Sequence, residues 1–210
     1  EWGYCPAERA IDVRTGARVA NYACLLQIPE DQRRLMSRVA FTAYFQAGKF
    51  DFVGVTTHVR FRASDKEEEQ KEQAQDICSF HSNPAKCKPA KDEVGRFYEV
   101  TAIANQFNDI KKITGDNDII YTGDFNLEDD KKSKDLWAAS LAPAEGYQVT
   151  QTDMTTLSIK SAKMASNYDH FILDPKATSE CDMSSIRAFD FTTADTSSDP
   201  VMKEIAKFLN

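Results

Sequence analysis

Short runs of apolar residues, each ended by glycine, proline or polar positions, recur along this chain and predict β-strands. The strongest runs cover residues 39–45 and 50–59, and the short glycine-containing connection between them is typical of a hairpin. Weaker strands are predicted over residues 2–5, 19–26, 119–121, 167–173 and 184–191. Paired strands with helices inserted between them favour an α/β fold built from two packed sheets.

Apolar residues spaced three and four positions apart predict the helices. One helix is predicted from Asp92 to residue 113, with Asp92 as its N-cap and Gly115 ending it. The highly charged segment 64–78 predicts a solvated helix capped by Ser64 or Asp65, and further helices are predicted over 134–141 and 200–209. Residues 31–35 are polar and loop-like.

These elements lead to a specific packing hypothesis. We expect the strands over residues 19–26, 39–45, 52–59 and 119–121 to divide between two face-to-face sheets, with the apolar stripe of residues 97–110 covering one outside face. The length of 210 residues makes a single domain the default.

Composition and charge restrict the classes of function. With 41% hydrophobic and 28% charged residues the composition is that of an ordinary soluble protein, and no apolar run reaches membrane-spanning length. The net charge of −7 argues against a broad electrostatic surface for nucleic acid. It leaves open a local site in which a metal ion and a few cations hold one phosphate.

Five cysteines raise the question of redox compartment. Cys78 and Cys87 flank a polar, proline-containing loop, and a disulfide closing this loop would imply an oxidising compartment. The alternative is a pair of free thiols in a cytosolic protein. Cys24 is expected either as a buried free thiol in its strand or paired elsewhere. We therefore expect a secreted or periplasmic protein, with a cytoplasmic one as the alternative.

The candidate chemistry centres on the segment 118–126, where an apolar strand ends at Gly123 and polar groups follow at once. If extended geometry persists beyond the strand, Asp124 and Asn126 project to one side and Phe125 packs on the other as an anchor. The alternative is an ordinary Gly-Asp turn at a strand end.

His58 stands at the end of another predicted strand. Strand alternation places it on the face opposite Val53 and Val55, so it does not belong to the apolar stripe. The alternative to a functional role is a surface histidine.

The series formed by His58, by Gly123-Asp124-Phe125-Asn126 and by Tyr168-Asp169-His170 resembles the endonuclease/exonuclease/phosphatase superfamily, whose type member is deoxyribonuclease I. Arg38, just before a predicted strand, looks like that family's active-site arginine. The resemblance runs from about residue 2 to residue 191.

The resemblance implies a fold of two packed mixed sheets flanked by helices, and hydrolysis of phosphate esters with a divalent metal: Mg²⁺, or alternatively Ca²⁺ or Mn²⁺. It implies that Asp124 places metal and nucleophile and that Asn126 and Arg38 bind phosphate. His58 would be one of a pair of histidines, and Asp169 would orient the second. These residue types suit the chemistry, since metal and guanidinium neutralise phosphate and imidazole transfers protons near neutral pH.

Three features depart from the family pattern. The family begins with a strand that carries an Asn and then a helix that carries a metal-binding Glu, neither of which has a counterpart in this chain, and its final Ser-Asp-His strand is also unmatched. The carboxylate that would pair with His58 falls near Ala20 and Asn21, neither of which is acidic. His170 matches a position that is commonly structural in the family. Either residues 1–210 are a single domain that is incomplete at both ends, which we expect, or the protein is a degenerate member.

The main hypothesis is a monomeric, metal-dependent nuclease acting on DNA. The alternatives are a phosphatase or sphingomyelinase-type member of the superfamily, a catalytically silent binding module, and a purely structural domain, because one fold carries several functions. If the main hypothesis holds, the five site residues converge at one rim of the sandwich: Arg38, His58, Asp124, Asn126 and Asp169.

Overall fold

The computed structural model describes residue 5 and residues 23–47, 50–150, 153–158 and 164–188. The predicted helix over residues 200–209 lies outside this part of the chain, as do most of the strand predicted over 2–5 and the end of the one predicted over 184–191.

The described residues form short strands and helices in alternation. In chain order they are β1 (Ala23–Leu25), α1 (Glu30–Arg33), β2 (Phe41–Ala47), β3 (Phe50–His58), α2 (Glu67–Ser79), α3 (Val94–Ala104), α4 (Phe107–Thr114), β4 (Ile119–Asp124), α5 (Lys134–Leu141), β5 (Gln148–Val149), β6 (Thr156–Leu157), β7 (Met164–Ser166) and β8 (Asp169–Leu173). Single turns of 3-10 helix lie at Pro84–Lys86 and Met183–Ser185.

The strands form a six-stranded sheet in the order β1-β2-β3-β4-β8-β5 and a two-stranded sheet of β6 and β7. Strand β3 pairs with β4 in parallel, and the other pairs are antiparallel, so the large sheet is mixed. The predicted hairpin is confirmed as β2 and β3.

The predicted division of strands between two sheets is wrong. Strands β1 to β4, which overlap the four predicted segments, are hydrogen bonded side by side in the six-stranded sheet, and residues 19–22 of the first segment lie outside the described residues. The apolar pattern of a strand fixes which of its faces is buried, but not which neighbour accepts its hydrogen bonds. The fold is therefore a mixed α/β arrangement whose described strands form one large and one small sheet.

One face of the large sheet forms the core with the helices. Val53, Val55 and Tyr121 are fully buried on this face and belong to the same apolar cluster as Phe97 and Phe107 of α3 and α4. The rings of Phe107 and Tyr121 meet edge to face, with their centroids 5.7 Å apart. The prediction that the stripe of residues 97–110 covers a sheet face is confirmed.

The predicted helix from Asp92 to residue 113 is two helices. Helix α3 ends at Ala104 and α4 begins at Phe107. At the junction the Gln106 N–H donates to the carbonyl of Ile103, three residues back instead of four, over 3.0 Å. The apolar stripe continues through this break, so spacing alone cannot reveal it. Gly115 ends α4 as predicted, with a positive φ of 70°.

Other predicted boundaries also changed. Helix α3 has no side-chain cap from Asp92, and α2 begins after Lys66 rather than at Ser64 or Asp65. Residues 30–33 form the short helix α1 where a loop was expected. The predicted strand from residue 184 is wrong within the described residues, which form a 3-10 turn there. Helix ends depend on cap geometry that residue types only partly determine.

Two disulfides link described cysteines of this fold. Cys78 is bonded to Cys87, as predicted, and Cys24 is bonded to Cys5, nineteen positions earlier. Cys181 is a free thiol. In the part of the chain that the structure describes, no helix combines the length and apolar character needed to cross a membrane.

A thiol titration tests this pairing. We expect the unfolded, non-reduced chain to show a single reactive thiol, from Cys181, and the reduced chain to show all five. In the folded chain burial raises the pKa of the Cys181 thiol, so it should react more slowly than after unfolding. Replacing Cys78 and Cys87 together with serine should lower the free energy of unfolding by about 2–3 kcal/mol. Five thiols in the non-reduced chain would contradict the structure.

Candidate active site

Three polar side chains form a row across neighbouring inner strands, at the end of the large sheet where β3 and β4 finish and β8 starts. His58 ends β3, Asp124 ends β4 and Asp169 begins β8. The register places His58 beside Asp124 and Asp124 beside Asp169. Residues in register on adjacent strands point to the same face, about 5 Å apart. This face is the one opposite the helices, so alternation along each strand keeps the row out of the apolar core.

The His58 imidazole faces the Asp124 carboxylate. Nε2 of His58 lies 3.8 Å from Oδ2 of Asp124, and the two side chains are 55% and 39% exposed. The other carboxylate oxygen, Oδ1, accepts a hydrogen bond of 2.9 Å from the backbone N–H of Asn126. One oxygen of Asp124 thus fixes the turn after the strand, while the other remains open toward His58 and solvent.

Gly123 allows the two strands to meet at this point. Its φ is +150°, and a Cβ added here would lie 1.9 Å from the Thr57 carbonyl oxygen. No other residue can occupy this position without separating β3 from β4. The glycine therefore sets the spacing between the strand ends that carry His58 and Asp124.

Asn126 does not lie beside Asp124 as expected. Its φ of 53° turns the chain, and its side chain is buried at 5% exposure, with Nδ2 donating to the Val59 carbonyl over 3.0 Å. The expectation of persistent extended geometry is wrong, because the turn closed by Asp124 replaces the strand. Asparagine tolerates this left-handed conformation better than most residues. Its phosphate-binding role stays a prediction.

Phe125, between these residues, is the predicted packing anchor, and the structure confirms it. The side chain is fully buried, and its ring contacts those of Tyr121 and Trp137 at centroid distances of 4.9 and 5.8 Å. Its backbone N–H donates to the Tyr168 carbonyl over 2.7 Å. The anchor thus joins the end of β4 to the segment that leads into Asp169.

Arg38 lies next to His58 although it precedes the second strand. One of its guanidinium nitrogens, Nη1, donates to the His58 carbonyl over 3.3 Å, and the residue is exposed. The structure therefore brings together four of the five predicted residues at one end of the inner strands, and the side chain of Asn126 is buried below them. The catalytic and binding roles of all five stay predictions.

Asp169 and His170 point to opposite faces of β8. Asp169 is exposed, whereas His170 is 1% exposed and contacts Trp137. The His170 Nε2 lies 2.7 Å from the Leu127 carbonyl, which can only accept, so Nε2 carries the proton. This is the geometry of a structural histidine, as expected from the resemblance. Sequence neighbours thus serve different tasks because a strand alternates its faces.

Glu99 of α3 is a residue that sequence reasoning missed. Its carboxylate is fully buried and accepts from Ser37 N and Oγ over 2.7 and 2.9 Å, and from Arg60 N and Nε over 3.1 and 2.9 Å. It therefore ties the residue before Arg38 to a residue just beyond His58. An acidic residue inside an apolar helical stripe was the available signal.

Arg96, one turn before Glu99, makes a second connection. Its Nη1 donates to the Asn126 carbonyl over 2.6 Å and its Nη2 to the Phe61 carbonyl over 2.8 Å. It thereby joins the turn after Asp124 to the loop after His58. Nothing in the sequence distinguishes Arg96 from a solvated helical arginine.

The carboxylates of the row suit one kind of metal. Among the described residues no three His, Cys, Asp or Glu side chains gather closely enough to hold an ion by themselves. Mg²⁺ commonly binds through one or two carboxylates and completes its shell with water and substrate phosphate. Asp124 and Asp169, both accessible, are compatible with that mode and do not provide the closed ligand set of a structural zinc site.

Comparison with known proteins leaves the family open. No family model matches the sequence, and no curated protein is similar to it. Among solved structures, sphingomyelinase C from Streptomyces griseocarneus is 14% identical with a TM-score of 0.40, covering 65% of this chain and 42% of that chain. The chain thus spans less than half the length of that structure. A likeness at this level carries no argument about activity, so the interpretation rests on the residues.

The close approach at Gly123 can be tested by substitution. Gly123→Ala should lower the free energy of unfolding by more than about 2 kcal/mol, since the new methyl group meets backbone and the φ is unfavourable. Gly54→Ala on β3 is the control: its methyl group meets the exposed Phe45 ring, which can move, so we expect less than about 1 kcal/mol. Denaturant unfolding measures both, and equal losses would contradict the argument.

The buried Glu99 makes a second prediction. Glu99→Ala leaves the Arg60 guanidinium, only 13% exposed, without its counter-ion and should cost about 3–5 kcal/mol of stability. Glu99→Gln keeps the shape and one acceptor and should cost less. The control is Glu72→Ala, which breaks an exposed pair with Arg34 and should cost less than about 1 kcal/mol. If Glu99→Ala unfolds at the same denaturant concentration as the control, Glu99 is not the connection that we describe.

Proposed function

We propose that this chain is a divalent-metal-dependent phosphodiesterase that hydrolyses DNA. The observation that carries the proposal is the row of His58, Asp124 and Asp169, which lie in register at the ends of neighbouring strands, with Arg38 next to His58. Carboxylate, imidazole and guanidinium groups are exposed together, although the sequence separates them widely. The family resemblance of these same positions supports the proposal.

Asp124 and Asp169 are the residues that would hold a magnesium ion. Bound there, the ion would neutralise charge on a phosphate and lower the pKa of a coordinated water. Asp124 offers Oδ2 for this task, because Oδ1 is engaged by the Asn126 backbone. Asp169 lies beside it in register, so its carboxylate is available from the next strand.

Arg38 would bind the scissile phosphate. Only one of its N–H groups has an acceptor among the described residues, the His58 carbonyl, and that contact is long at 3.3 Å. The remaining donors of the planar guanidinium are free to make the paired hydrogen bonds that suit phosphate oxygens. Fixing one edge of the side chain lowers the entropy lost when the other edge binds.

His58 would move a proton at Nε2. Imidazole can accept and donate protons near neutral pH, which suits it to transfer a proton in phosphate ester hydrolysis. The gap of 3.8 Å between Nε2 and Asp124 Oδ2 is too long for a direct hydrogen bond. We assign to this gap a bridging water or substrate oxygen, which both groups can contact.

DNA is favoured over other phosphate esters by the cations around the site. Arg38 is exposed and bonds the His58 carbonyl, and Arg62, four residues after His58, is also exposed, although the net charge of the whole chain is −7. Such local charge suits a polymer that presents several phosphates. Sphingomyelin and phosphoinositides remain substrates to compare directly.

The two disulfides support a proposal about location. Disulfides such as Cys78–Cys87 and Cys5–Cys24 persist in oxidising compartments. We propose that the protein is secreted or periplasmic, where extracellular nucleic acid is an available substrate.

A plasmid-nicking assay tests the activity. With Mg²⁺ or Mn²⁺ the chain should convert supercoiled plasmid to the nicked form, and EDTA should abolish this conversion. Asp124→Ala and His58→Ala should each lower the rate about 10²- to 10³-fold, the usual cost of losing one preorganised charged group. Arg38→Lys should retain more activity than Arg38→Ala, because charge survives while the planar fork is lost.

The matched controls are His81→Ala and Asp109→Ala, which change the same residue types outside the row and should leave the rate unchanged. Undiminished nicking by both Asp124→Ala and His58→Ala would show that these two residues are not catalytic. Cleavage of sphingomyelin or a phosphoinositide, but not of plasmid, would assign the other substrate class. No cleavage of any of them at any metal concentration would favour a silent binding module.

A further inference from the structure

The site is bordered by an aromatic ring that the proposed chemistry does not use. Phe61 follows His58 by three residues and is 62% exposed, more than any other large apolar side chain in the described part of the chain. An exposed phenylalanine gives up the stabilisation that burial of its ring in a core would provide. Single exposed apolar residues are common, so exposure alone assigns no role.

The backbone on which Phe61 stands is fixed on every side. Val59 N donates to the Asp124 carbonyl over 2.9 Å, and Arg60 N donates to the buried Glu99 over 3.1 Å. The Phe61 carbonyl itself accepts from Arg96 over 2.8 Å. These bonds hold the backbone of residues 59–61, from which the ring projects into solvent.

Arg96 also supports the ring from one side. Its guanidinium carbon lies 5.6 Å from the centroid of the Phe61 ring, within the range of a cation–π contact. The same guanidinium donates to the Asn126 carbonyl, two residues after Asp124. The ring is therefore linked through one side chain to the turn that follows Asp124.

Two exposed arginines lie near Phe61: Arg62 is the next residue in the chain, and Arg38 bonds the carbonyl of His58, three residues before it. Arg62 is exposed and its side chain has no hydrogen bond or ion pair with any described residue. Arg38 is exposed at the neighbouring loop and bonds only the His58 carbonyl among the described residues. An aromatic surface with cations beside it is complementary to a base flanked by phosphates.

We infer that Phe61 is a stacking platform for one base of a single-stranded nucleic acid, with Arg62 and Arg38 contacting the phosphates on either side of that base. The inference rests on the proposed function and deepens it, since a ring fixed in this way can stack only a base that is not already stacked within a duplex. Single strands, or the unpaired ends of strands, are thus the substrate class that we expect at this site.

Equilibrium binding tests the inference without requiring cleavage. A fluorescein-labelled, single-stranded oligodeoxynucleotide is titrated with the 210-residue chain in EDTA, and fluorescence anisotropy gives the Kd. Phe61→Ala should raise the Kd about 5- to 150-fold, the usual effect of removing one base–aromatic stack. Phe61→Trp should bind at least as tightly as the wild type, while Phe61→Leu, apolar but without a π-face, should bind nearly as weakly as Phe61→Ala.

Two controls separate stacking from folding and from charge. Phe80→Ala removes another exposed phenylalanine, 37% exposed in the disulfide loop, and should leave the Kd unchanged. With an oligonucleotide of the same length that carries abasic sites throughout, wild type and Phe61→Ala should bind equally, because the base is absent. Denaturant unfolding of Phe61→Ala should match the wild type, because the ring is mostly exposed.

The outcomes separate this inference from the proposed hydrolysis. Ring-dependent binding by a chain that cleaves neither plasmid nor the single-stranded oligonucleotide in the presence of Mg²⁺ supports the platform and overturns only the hydrolysis. Nicking by a chain whose Kd is unaffected by Phe61→Ala overturns the platform alone, as does failure of the wild type to bind the oligonucleotide. If sphingomyelin–phosphatidylcholine vesicles bind the wild type but not Phe61→Ala, while oligonucleotide binding is unchanged, the ring meets lipid and the inference is overturned.

Discussion

The site depends first on the buried carboxylate of Glu99. A fully buried charge is tolerated only when it is paired and hydrogen bonded, and Glu99 meets this requirement with groups of Ser37 and Arg60. Ser37 directly precedes Arg38, and Arg60 lies two residues after His58. Satisfying one buried charge therefore holds two loops together, alongside the bonds from Arg38 to the His58 carbonyl and from Arg60 to the Leu35 carbonyl. The same interaction sets the rotation of α3 about its own axis, since Glu99 must face Ser37 and Arg60.

The helix layer and the polar row lie on opposite faces of the sheet, yet they are mechanically linked. Strand alternation sends Val55 and Tyr121 into the core and His58 and Asp124 to the other face. Arg96 and Glu99 of α3 bind the loops beside the strand ends, and among the described residues neither is hydrogen bonded to a side chain of the row. The exposed groups are thus left free for a ligand while the chain that carries them is held, which is the arrangement that a preorganised site requires.

Features that depend on local pattern were predicted from sequence, and those that depend on distant partners were not. The hairpin of β2 and β3, the end of α4 at Gly115 and the burial of Phe125 follow from residue spacing and turn chemistry. The turn at Asn126 did not, because its positive φ depends on the Val59 carbonyl and on Arg96. Glu99 was missed for the same reason, since its partners lie 62 and 39 positions away. The pairing of all four predicted strands into one sheet also depends on contacts that periodicity does not encode.

Substitutions in the exposed row and in the residues that support it should have different effects. His58, Arg38 and Asp169 are exposed and make few contacts through their side chains, so altering them changes the chemistry available at the edge and little else. Gly123 and Glu99 contact no ligand, yet altering them moves the strand ends and loops on which that chemistry stands. Stability and activity should therefore be lost together in the second group and separately in the first. A site residue whose loss lowers activity without lowering stability acts on the substrate, which distinguishes this edge from a purely structural cluster of polar side chains.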